Sequence, residues 1–303
     1  MDFIQVVILT LVGGLVLTLL LFQYQSNGFA FHKSLIPSGL SSSSSSPYNK
    51  PTFLILGANN SGKTSLYYKL IRASKNRHLD DDEKVNEGMT PTVSSMELNA
   101  TSIELPFSNT AITKNYQLID YPGHLKYQEL LYKLMIDDIK LQKIRGIVYV
   151  LDSSSISINS ENLIELKIAK FLYQIFSITE RMHNGIDFLF AVNKSDLFDS
   201  LPVHKLKGLL ESELNKLITD ELNSVNKSSG IDNANDDDKD DNGDGKKPSQ
   251  ESLREFWLSV IGSRNKEFTF DKLEGNMDFV TGSVLRNKIE GWENWFDEKV
   301  VNN

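Results

Sequence analysis

The chain has 303 residues, of which 40% are hydrophobic, and a formal net charge of −8 at pH 7, so one medium globular domain is expected. The acidic balance, without a visible basic cluster, argues against a general nucleic-acid-binding protein, which needs a basic face to displace counterions. The absence of cysteine excludes disulfides, thiolate zinc sites and cysteine nucleophiles, and it suits a cytosolic working domain.

The first element is an apolar segment without charge at residues 3–22. At about 1.5 Å per residue it matches the roughly 30 Å hydrocarbon core of a bilayer, so we expect a transmembrane helix. A cleaved signal peptide is disfavoured because no Lys or Arg precedes the segment and no clear cleavage site follows it. Residues 23–50 contain a serine run that cannot bury apolar area, which predicts a flexible tether before a globular domain at 51–303.

A phosphate-binding loop follows the apolar run at residues 53–56. The chain continues with Gly57-Ala58-Asn59-Asn60-Ser61-Gly62-Lys63-Thr64, which matches the pattern G-x-x-x-x-G-K-[ST]. Gly57 and Gly62 would let backbone N–H groups turn inward toward phosphate oxygens. Lys63 would reach the β- and γ-phosphates, and the Thr64 hydroxyl would take a Mg²⁺ coordination position. Ser65 begins a helix predicted over residues 65–71, whose positive end adds to the anion site.

Beyond the loop, apolar runs alternate with amphipathic segments. The apolar runs predict two short strands or a hairpin over residues 96–107, then strands at 116–120, 146–151, 188–192 and 277–280. The amphipathic segments predict helices at 125–139, 161–176, 206–222, 252–261 and 284–300. This alternation predicts an α/β fold with a doubly wound, mostly parallel sheet. Trp292, Trp295 and Phe296 are expected to pack against it.

An acidic stretch interrupts this pattern. Residues 223–250 carry seven aspartates and no hydrophobic periodicity, which predicts a disordered surface insertion. Part of the stretch, from Asp240 to Glu251, satisfies the EF-hand loop pattern. A calcium site is disfavoured because no helix can be read directly before this loop, and Lys247 stands where an apolar residue normally anchors it.

Two further motifs decide between ATPases, kinases and GTPases. Asp120-Tyr121-Pro122-Gly123 is a D-x-x-G sequence at a strand end, where Asp120 could hold Mg²⁺ through water and the Gly123 N–H could meet a γ-phosphate. Asn193-Lys194-Ser195-Asp196 has the N-K-x-D form that reads guanine. The Asp196 carboxylate would accept from two adjacent guanine donors, which adenine lacks, and the Lys194 stem would lie across the base. The three motifs in this order indicate GTP as the ligand.

The chain resembles small GTPases of the Arf/Sar branch, and most closely the β-subunit family of the signal recognition particle receptor. The resemblance covers nearly the whole chain. It rests on the predicted anchor, the loop GANNSGKT, Thr90-Pro91-Thr92, the sequence DYPGH, the sequence NKSD, and Gly282-Ser283-Val284. It implies that Thr92 is the switch threonine on Mg²⁺, with Thr90 as the competing assignment, and that the backbone at Ser283 and Val284 touches guanine. The last motif departs from the common S-A-K form.

The resemblance also implies a function. A protein of this family would be a single-pass subunit of the endoplasmic reticulum membrane with its GTPase domain in the cytosol. It would recruit the receptor's α subunit when bound to GTP and so connect indirectly to ribosomes and the translocon, without contacting nucleic acid itself. An Arf/Sar-like switch in vesicle trafficking is the alternative, disfavoured because those proteins attach to membranes reversibly. A scaffold that has lost nucleotide binding is disfavoured by the intact motifs.

Hydrolysis of GTP is expected to be slow. GTPases usually place a glutamine after D-x-x-G to orient the attacking water, and here that position holds His124. His124 could position water, or it could cap the following helix or pack on a partner. Residues 89–95 contain no arginine, and Asn59 puts a side chain where Ras-like proteins often need glycine. A slow GTPase on a membrane is best understood as a binding module gated by nucleotide.

Overall fold

The computed structural model describes residues 50–77, 92, 95–154, 163–228, 250–262 and 267–302. All of them belong to one unit that extends from Ser46 to Asn303. Within these ranges, no helix is both long enough and apolar enough to cross a membrane. The predicted transmembrane segment at residues 3–22 and all of the tether except Lys50 lie outside the described residues.

Six strands and six α-helices make up the described domain. The strands are β1 (Thr52–Gly57), β2 (Asn99–Leu105), β3 (Lys114–Asp120), β4 (Ile144–Asp152), β5 (Phe188–Asn193) and β6 (Met277–Thr281). The helices are α1 (Lys63–Asn76), α2 (Gln128–Lys133), α3 (Leu163–Thr179), α4 (Val203–Ser228), α5 (Gln250–Ile261) and α6 (Glu290–Val301). Short 3-10 turns occur at Leu125–Tyr127, Leu141–Lys143 and Phe270–Lys272.

The strands form one sheet in the order β2-β3-β1-β4-β5-β6. Strand β2 runs antiparallel to β3, and the other neighbouring pairs are parallel. The predicted mostly parallel α/β fold is therefore confirmed. Residues 96–107 contribute one strand rather than two, and the hairpin partner of that strand is β3. The carboxyl ends of β1, β3, β4 and β5 lie at one edge of the sheet, where ligands bind in open α/β folds.

Two apolar layers cover the sheet, one on each face. On β1, Phe53 and Ile55 face the layer that contains α1 and α6, whereas Leu54 and Leu56 face the layer that contains α3, α4 and α5. Successive side chains of a strand point to opposite faces, so a strand buried on both faces reads as a continuous apolar run. The ring centroids of Phe53 and Phe296 are 4.9 Å apart, which confirms that the C-terminal aromatics pack against the sheet.

The helix predicted over residues 125–139 is broken into short pieces. A 3-10 turn leads into α2, which continues as a π-helical turn at Leu134–Asp138 and ends before Lys140. Lys140 has φ 63° and ψ 131°, backbone angles that a right-handed helix does not contain. Of the apolar positions that predicted this helix, Leu134 and Ile139 are buried and Leu130 is half-buried, so the buried face was predicted in part while the helix type changed along it.

Two of the other helix boundaries that differ from the prediction have local causes. Helix α4 extends to Ser228, so the first six residues of the predicted insertion at 223–250 are helical. No glycine or proline occurs between Leu222 and Gly230 to stop the helix. The C-terminal helix begins at Glu290 rather than residue 284, because Ser283 and Lys288 close a turn in which Asn287 has φ 57°. Residues 229–249 lie outside the described part of the chain.

Candidate functional site

The phosphate loop joins the end of β1 to the start of α1 and depends on its two glycines. Gly57 has φ 141° and Gly62 has φ 97°, conformations that residues with a Cβ rarely adopt. A Cβ on Gly57 would lie 2.4 Å from the Val150 carbonyl oxygen, and one on Gly62 would lie 2.3 Å from the Asn193 Nδ2 atom. The loop therefore packs closely against the ends of the neighbouring strands.

Lys63 is buried at the start of α1. Its Nζ atom donates to the Ala58 carbonyl oxygen at 2.7 Å, so its side chain folds back over the loop. Burial lowers the pKa of Lys63 to about 8, although the nearby Asp120 carboxylate opposes the shift. A buried ammonium with one carbonyl partner favours an arriving anion, because the anion replaces the lost hydration.

The donor set for a metal ion lies beside this lysine. The Thr64 hydroxyl donates to Asp120 Oδ2 at 2.8 Å, and Asn99 Nδ2 donates to the same oxygen at 3.1 Å. The other carboxylate oxygen, Asp120 Oδ1, is buried without a hydrogen-bond partner among the described residues. Burial raises the pKa of Asp120, and the Thr64 and Asn99 hydrogen bonds and the Lys63 charge oppose the rise. An orphaned carboxylate oxygen next to a threonine hydroxyl fits Mg²⁺, which prefers oxygen ligands.

Three hydroxyl groups extend this donor set. Ser95 Oγ lies 2.9 Å from Thr64 Oγ1, and Thr92 Oγ1 lies 2.9 Å from Ser65 Oγ. Thr92 is thus next to the first turn of α1, as its predicted role requires. Thr90, the competing switch threonine, lies outside the described residues, so the choice between the two threonines stays a prediction.

Gly123 of the DYPGH sequence packs directly on the phosphate loop. A Cβ at this position would lie 2.6 Å from both the Gly57 carbonyl oxygen and Lys63 Nζ. The Tyr121 N–H donates to the Ile55 carbonyl oxygen at 3.1 Å, which continues the β1–β3 pairing up to this point. Only glycine allows the chain to approach the loop this closely, and this places the Gly123 backbone beside the phosphate-binding groups.

Asn193 connects the phosphate loop to the C-terminal motif. Its Nδ2 atom donates to the Ser61 carbonyl oxygen at 2.8 Å, and its Oδ1 atom accepts from the Val284 N–H at 3.1 Å. The Ser283 N–H donates to the Lys288 carbonyl oxygen at 3.0 Å. The Asn193 amide and the two backbone N–H groups therefore have protein partners in this structure. Their predicted contacts with nucleotide stay predictions.

Asp196 is held by the same C-terminal turn. The Ser283 hydroxyl donates to its carboxylate, and this hydrogen bond is the main reason that the pKa of Asp196 lies below its ordinary value. Arg286 Nε is 3.6 Å from Asp196 Oδ2. A carboxylate that is ionised and held in place by protein groups can still accept hydrogen bonds from a ligand.

One cleft of about 400 Å³, here named the nucleotide cleft, brings most of the predicted residues together. The predicted residues that line it are Asn59, Asn60, Gly62, Lys63, Thr64, Ser65, Thr92, Gly123, Asn193, Lys194, Asp196, Ser283 and Val284. Five others do not line it, namely Gly57, Ala58, Ser61, Asp120 and His124. Gly57, Ala58 and Ser61 belong to the phosphate loop, and Asp120 accepts hydrogen bonds from Thr64 and Asn99.

Sequence reasoning missed Ser95, Asn99, Leu197 and Leu285. Leu197 and Leu285 line the nucleotide cleft and are partly exposed, so they give it an apolar rim. Leu197 directly follows NKSD and Leu285 directly follows GSV, and this adjacency to a predicted motif was the available signal that they belong to the site. Ser95 and Asn99 belong to no motif, because they reach the Thr64 and Asp120 side chains through the fold.

His124 faces a different cleft. This second cleft, also about 400 Å³, is lined by DYPGH residues, by α2 and α3, and by the outer side of the phosphate loop. His124 Nδ1 accepts from the Lys126 N–H at 3.2 Å, so the side chain caps the 3-10 turn that follows. Of the roles considered for His124, this geometry favours capping; the water-positioning role stays a prediction.

Acidic and histidine side chains do not cluster as metal ligands elsewhere in the described ranges. The EF-hand pattern between Asp240 and Glu251 lies outside the described residues except for its last two positions, Gln250 and Glu251, which begin α5. The metal ligands predicted from the GTPase motifs, Thr64, Thr92 and Asp120, all lie in described parts of the chain.

The sequence comparisons with known proteins indicate one family. The sequence model of the family described as "Signal recognition particle receptor beta subunit" matches residues 48–277. The signal recognition particle receptor subunit beta of Saccharomyces cerevisiae is 33% identical over 255 residues, which cover 83% of this chain and 85% of that protein.

Two solved structures from Chaetomium thermophilum share the fold. The signal recognition particle receptor SRb-GTP/SRX complex has a TM-score of 0.56 at 18% identity, covering 82% of this chain and 98% of that one. The receptor's SRb-GDP-Mg form has a TM-score of 0.52 at 18% identity, covering 84% and 99%. At these identities the likeness shows the α/β fold, and the family rests on the sequence matches. The chain belongs to the signal recognition particle receptor beta subunit family.

Proposed function

We propose that the chain is a GTP-binding subunit of a signal recognition particle receptor, anchored in the endoplasmic reticulum membrane through residues 3–22. One observation carries the proposal. The Asp196 carboxylate lines the same cleft as Lys63 and Thr64. A phosphate site and a guanine-type acceptor that line one cleft match the phosphates and the base of a guanine nucleotide.

At the phosphate end, the backbone N–H groups of the loop and the Lys63 ammonium would hold the β- and γ-phosphates. Thr64, Thr92 and Asp120 would hold Mg²⁺, directly or through water, and the bound ion would neutralise phosphate charge. The orphaned Asp120 Oδ1 atom supports this assignment, because a buried carboxylate oxygen without a partner is costly unless a ligand satisfies it.

At the base end, Asp196 would accept from the ring N–H and the exocyclic amine of guanine. The Ser283 hydrogen bond and the Arg286 side chain hold the carboxylate ionised and oriented before the ligand arrives. The partly exposed Leu197 and Leu285 side chains would contact the apolar surface of the base.

The bound nucleotide would control a partner. The γ-phosphate would meet Gly123 and Thr92, which belong to the DYPGH loop and the segment before β2, and so would order the surface around them. The solved SRb-GTP/SRX complex joins a GTP-bound relative to a protein chain. By analogy, this subunit would recruit the receptor's α subunit in the GTP state and thereby ribosomes and the translocon, without contacting nucleic acid itself.

The exchange of Asp196 for asparagine tests the proposal. An amide offers one acceptor and one donor, which mismatches the two donors of guanine but suits xanthine, in which a carbonyl replaces the amine. Each lost charge-assisted hydrogen bond is worth about 1.5–3 kcal/mol, so Asp196→Asn should bind GTP at least about tenfold more weakly and gain affinity for XTP. Asp199→Asn, an exposed carboxylate three residues away, is the matched control and should keep the wild-type preference.

The same variant tests the partner. Detergent-extracted Asp196→Asn chain should capture the α subunit when loaded with XTP and fail with GTP, whereas the wild-type chain should do the opposite. If Asp196→Asn keeps the preference for GTP, Asp196 does not read the base. Capture that ignores the nucleotide in both proteins would refute the gated partner surface while leaving nucleotide binding intact.

A further inference from the structure

Asp152, which belongs to none of the predicted motifs, forms an ion pair with Lys194 of the NKSD sequence. Asp152 ends β4, and its Oδ2 atom lies 2.6 Å from Lys194 Nζ. The side chains are 12% and 27% exposed, so the pair is shielded from much of the solvent. Lys194 lines the nucleotide cleft between Asn193 and Asp196.

The backbone fixes both partners of this pair. Asp152 and Asn193 are register partners in the parallel β4–β5 pairing, so Lys194 leaves the sheet beside Asp152. Lys194 has φ 62°, a left-handed conformation that a lysine adopts at some cost and that sets the direction of its side chain. The Ser153 hydroxyl and N–H both donate to the Asn193 carbonyl oxygen, at 2.8 and 3.1 Å, and so attach the turn after β4 to the NKSD backbone.

The carboxylate is also oriented from its other side. Asp152 Oδ1 accepts from the Ser154 hydroxyl at 2.7 Å and from the Ser154 N–H at 3.1 Å. These bonds leave Oδ2 directed at the Lys194 ammonium. A free lysine has four rotatable bonds and samples many rotamers, whereas this one is held at its tip by an oriented acceptor.

We propose that Asp152 is a positioning residue that holds the Lys194 side chain across the nucleotide cleft, an inference that rests on the proposed binding of guanine nucleotides. Because the lysine stem presents methylene groups to the face of a base, the contact does not depend on the groups at the base edge. Asp152 therefore strengthens the binding of different purines alike, whereas Asp196 discriminates among them.

A double-mutant cycle on the full chain in detergent tests this inference, with dissociation constants for GTP and ITP measured by calorimetry. ITP lacks the exocyclic amine of guanine, so it reports on the base edge. Asp152→Asn should raise both dissociation constants by the same factor, about five- to tenfold, because the released lysine regains its rotamers. In a Lys194→Ala background, Asp152→Asn should cause less than about a twofold further change.

Two more variants keep the test decisive. Lys194→Gln removes the ammonium while leaving Asp152 in its turn, and it should weaken both nucleotides about as much as Asp152→Asn does. Asp187→Asn is the matched control: Asp187 pairs with Lys299 at 2.8 Å beside the amino end of β5, and its loss should leave both dissociation constants unchanged.

Three results would overturn the inference. The first is a dissociation constant for GTP within twofold of wild type in Asp152→Asn or Lys194→Gln. The second is an Asp152→Asn effect that persists in the Lys194→Ala background, since Asp152 would then act independently of the lysine. The third is a change in the ratio of GTP to ITP affinity, which would place Asp152 at the base edge. A wild-type chain that binds neither nucleotide would instead refute the proposed function itself.

Discussion

The Asn193 side chain connects the phosphate loop to the C-terminal motif, so we predict that changes at one end of the nucleotide cleft affect binding at the other. Asn193 is 3% exposed, and its amide satisfies the Ser61 carbonyl oxygen and the Val284 N–H at the same time. Replacement by alanine leaves both backbone groups buried without these partners. Each such group costs about 1–3 kcal/mol, so Asn193→Ala should lower the free energy of unfolding by about 2–6 kcal/mol.

The same change should weaken nucleotide binding, because the phosphate loop loses its attachment to the C-terminal motif. We expect the dissociation constant for GDP to rise at least about tenfold, an equivalent of about 1.4 kcal/mol. The affinity should be measured by calorimetry at a temperature at which denaturant unfolding shows the variant to be folded.

Asn215 provides a matched control within the same chain. Its amide also bridges two backbone groups, donating to the Phe268 carbonyl oxygen at 3.2 Å and accepting from the Phe268 N–H at 2.5 Å, but it lies on α4 away from the nucleotide cleft. Asn215→Ala should lower stability by a similar amount and leave the affinity within twofold. Equal effects of the two variants on affinity, or none from either, would show that the bridge does not couple the two ends.

Two further predictions concern charge and hydrolysis. Because burial lowers the pKa of Lys63 to about 8 and phosphate binds the protonated form, the dissociation constant for GDP should rise as the pH increases above about 8. The Lys63→Met variant should bind GDP more weakly at every pH, and its pH dependence should show only the titration of the nucleotide itself. A wild-type pH profile parallel to that of the variant would contradict this reasoning. Because the His124 imidazole accepts from the Lys126 N–H and lines the second cleft, His124→Ala should leave the rate of single-turnover GTP hydrolysis within about threefold of wild type. A tenfold loss of this rate at unchanged GTP affinity would instead support the water-positioning role.

The phosphate loop and the sheet were predictable because local sequence determines them. The glycines at 57 and 62 have positive φ, and such positions favour glycine whatever surrounds them. The central strands read as apolar runs because both of their faces are covered. Two missed boundaries also had local signals, since Asn287 tolerates the left-handed turn before α6 and no breaker follows Leu222 in α4.

Contacts between distant parts of the chain were not predictable in this way. Asn193 was recognised as part of a motif, but its partners Ser61 and Val284 are 132 and 91 residues away. The pairing of Asp152 with Lys194 and the approach of Asn99 to Asp120 likewise depend on strand order. A motif therefore identifies which residues are used, whereas the fold decides whether each one contacts the ligand or supports another residue.

The base end of the nucleotide cleft suits the proposed role as a binding module that is gated by nucleotide. Asp196, Asn193 and Lys194 are each held by a protein partner before any ligand arrives, so the base end is preorganised for affinity. Arg286 Nε lies 3.6 Å from Asp196 Oδ2, so this arginine belongs to the base end of the cleft. His124 is directed to the second cleft. Fast hydrolysis needs a group that orients water and a cation for the transition state. In the proposed function, the γ-phosphate of a bound nucleotide would contact Gly123 and Thr92, and slow turnover would prolong the state that the proposed partner recognises.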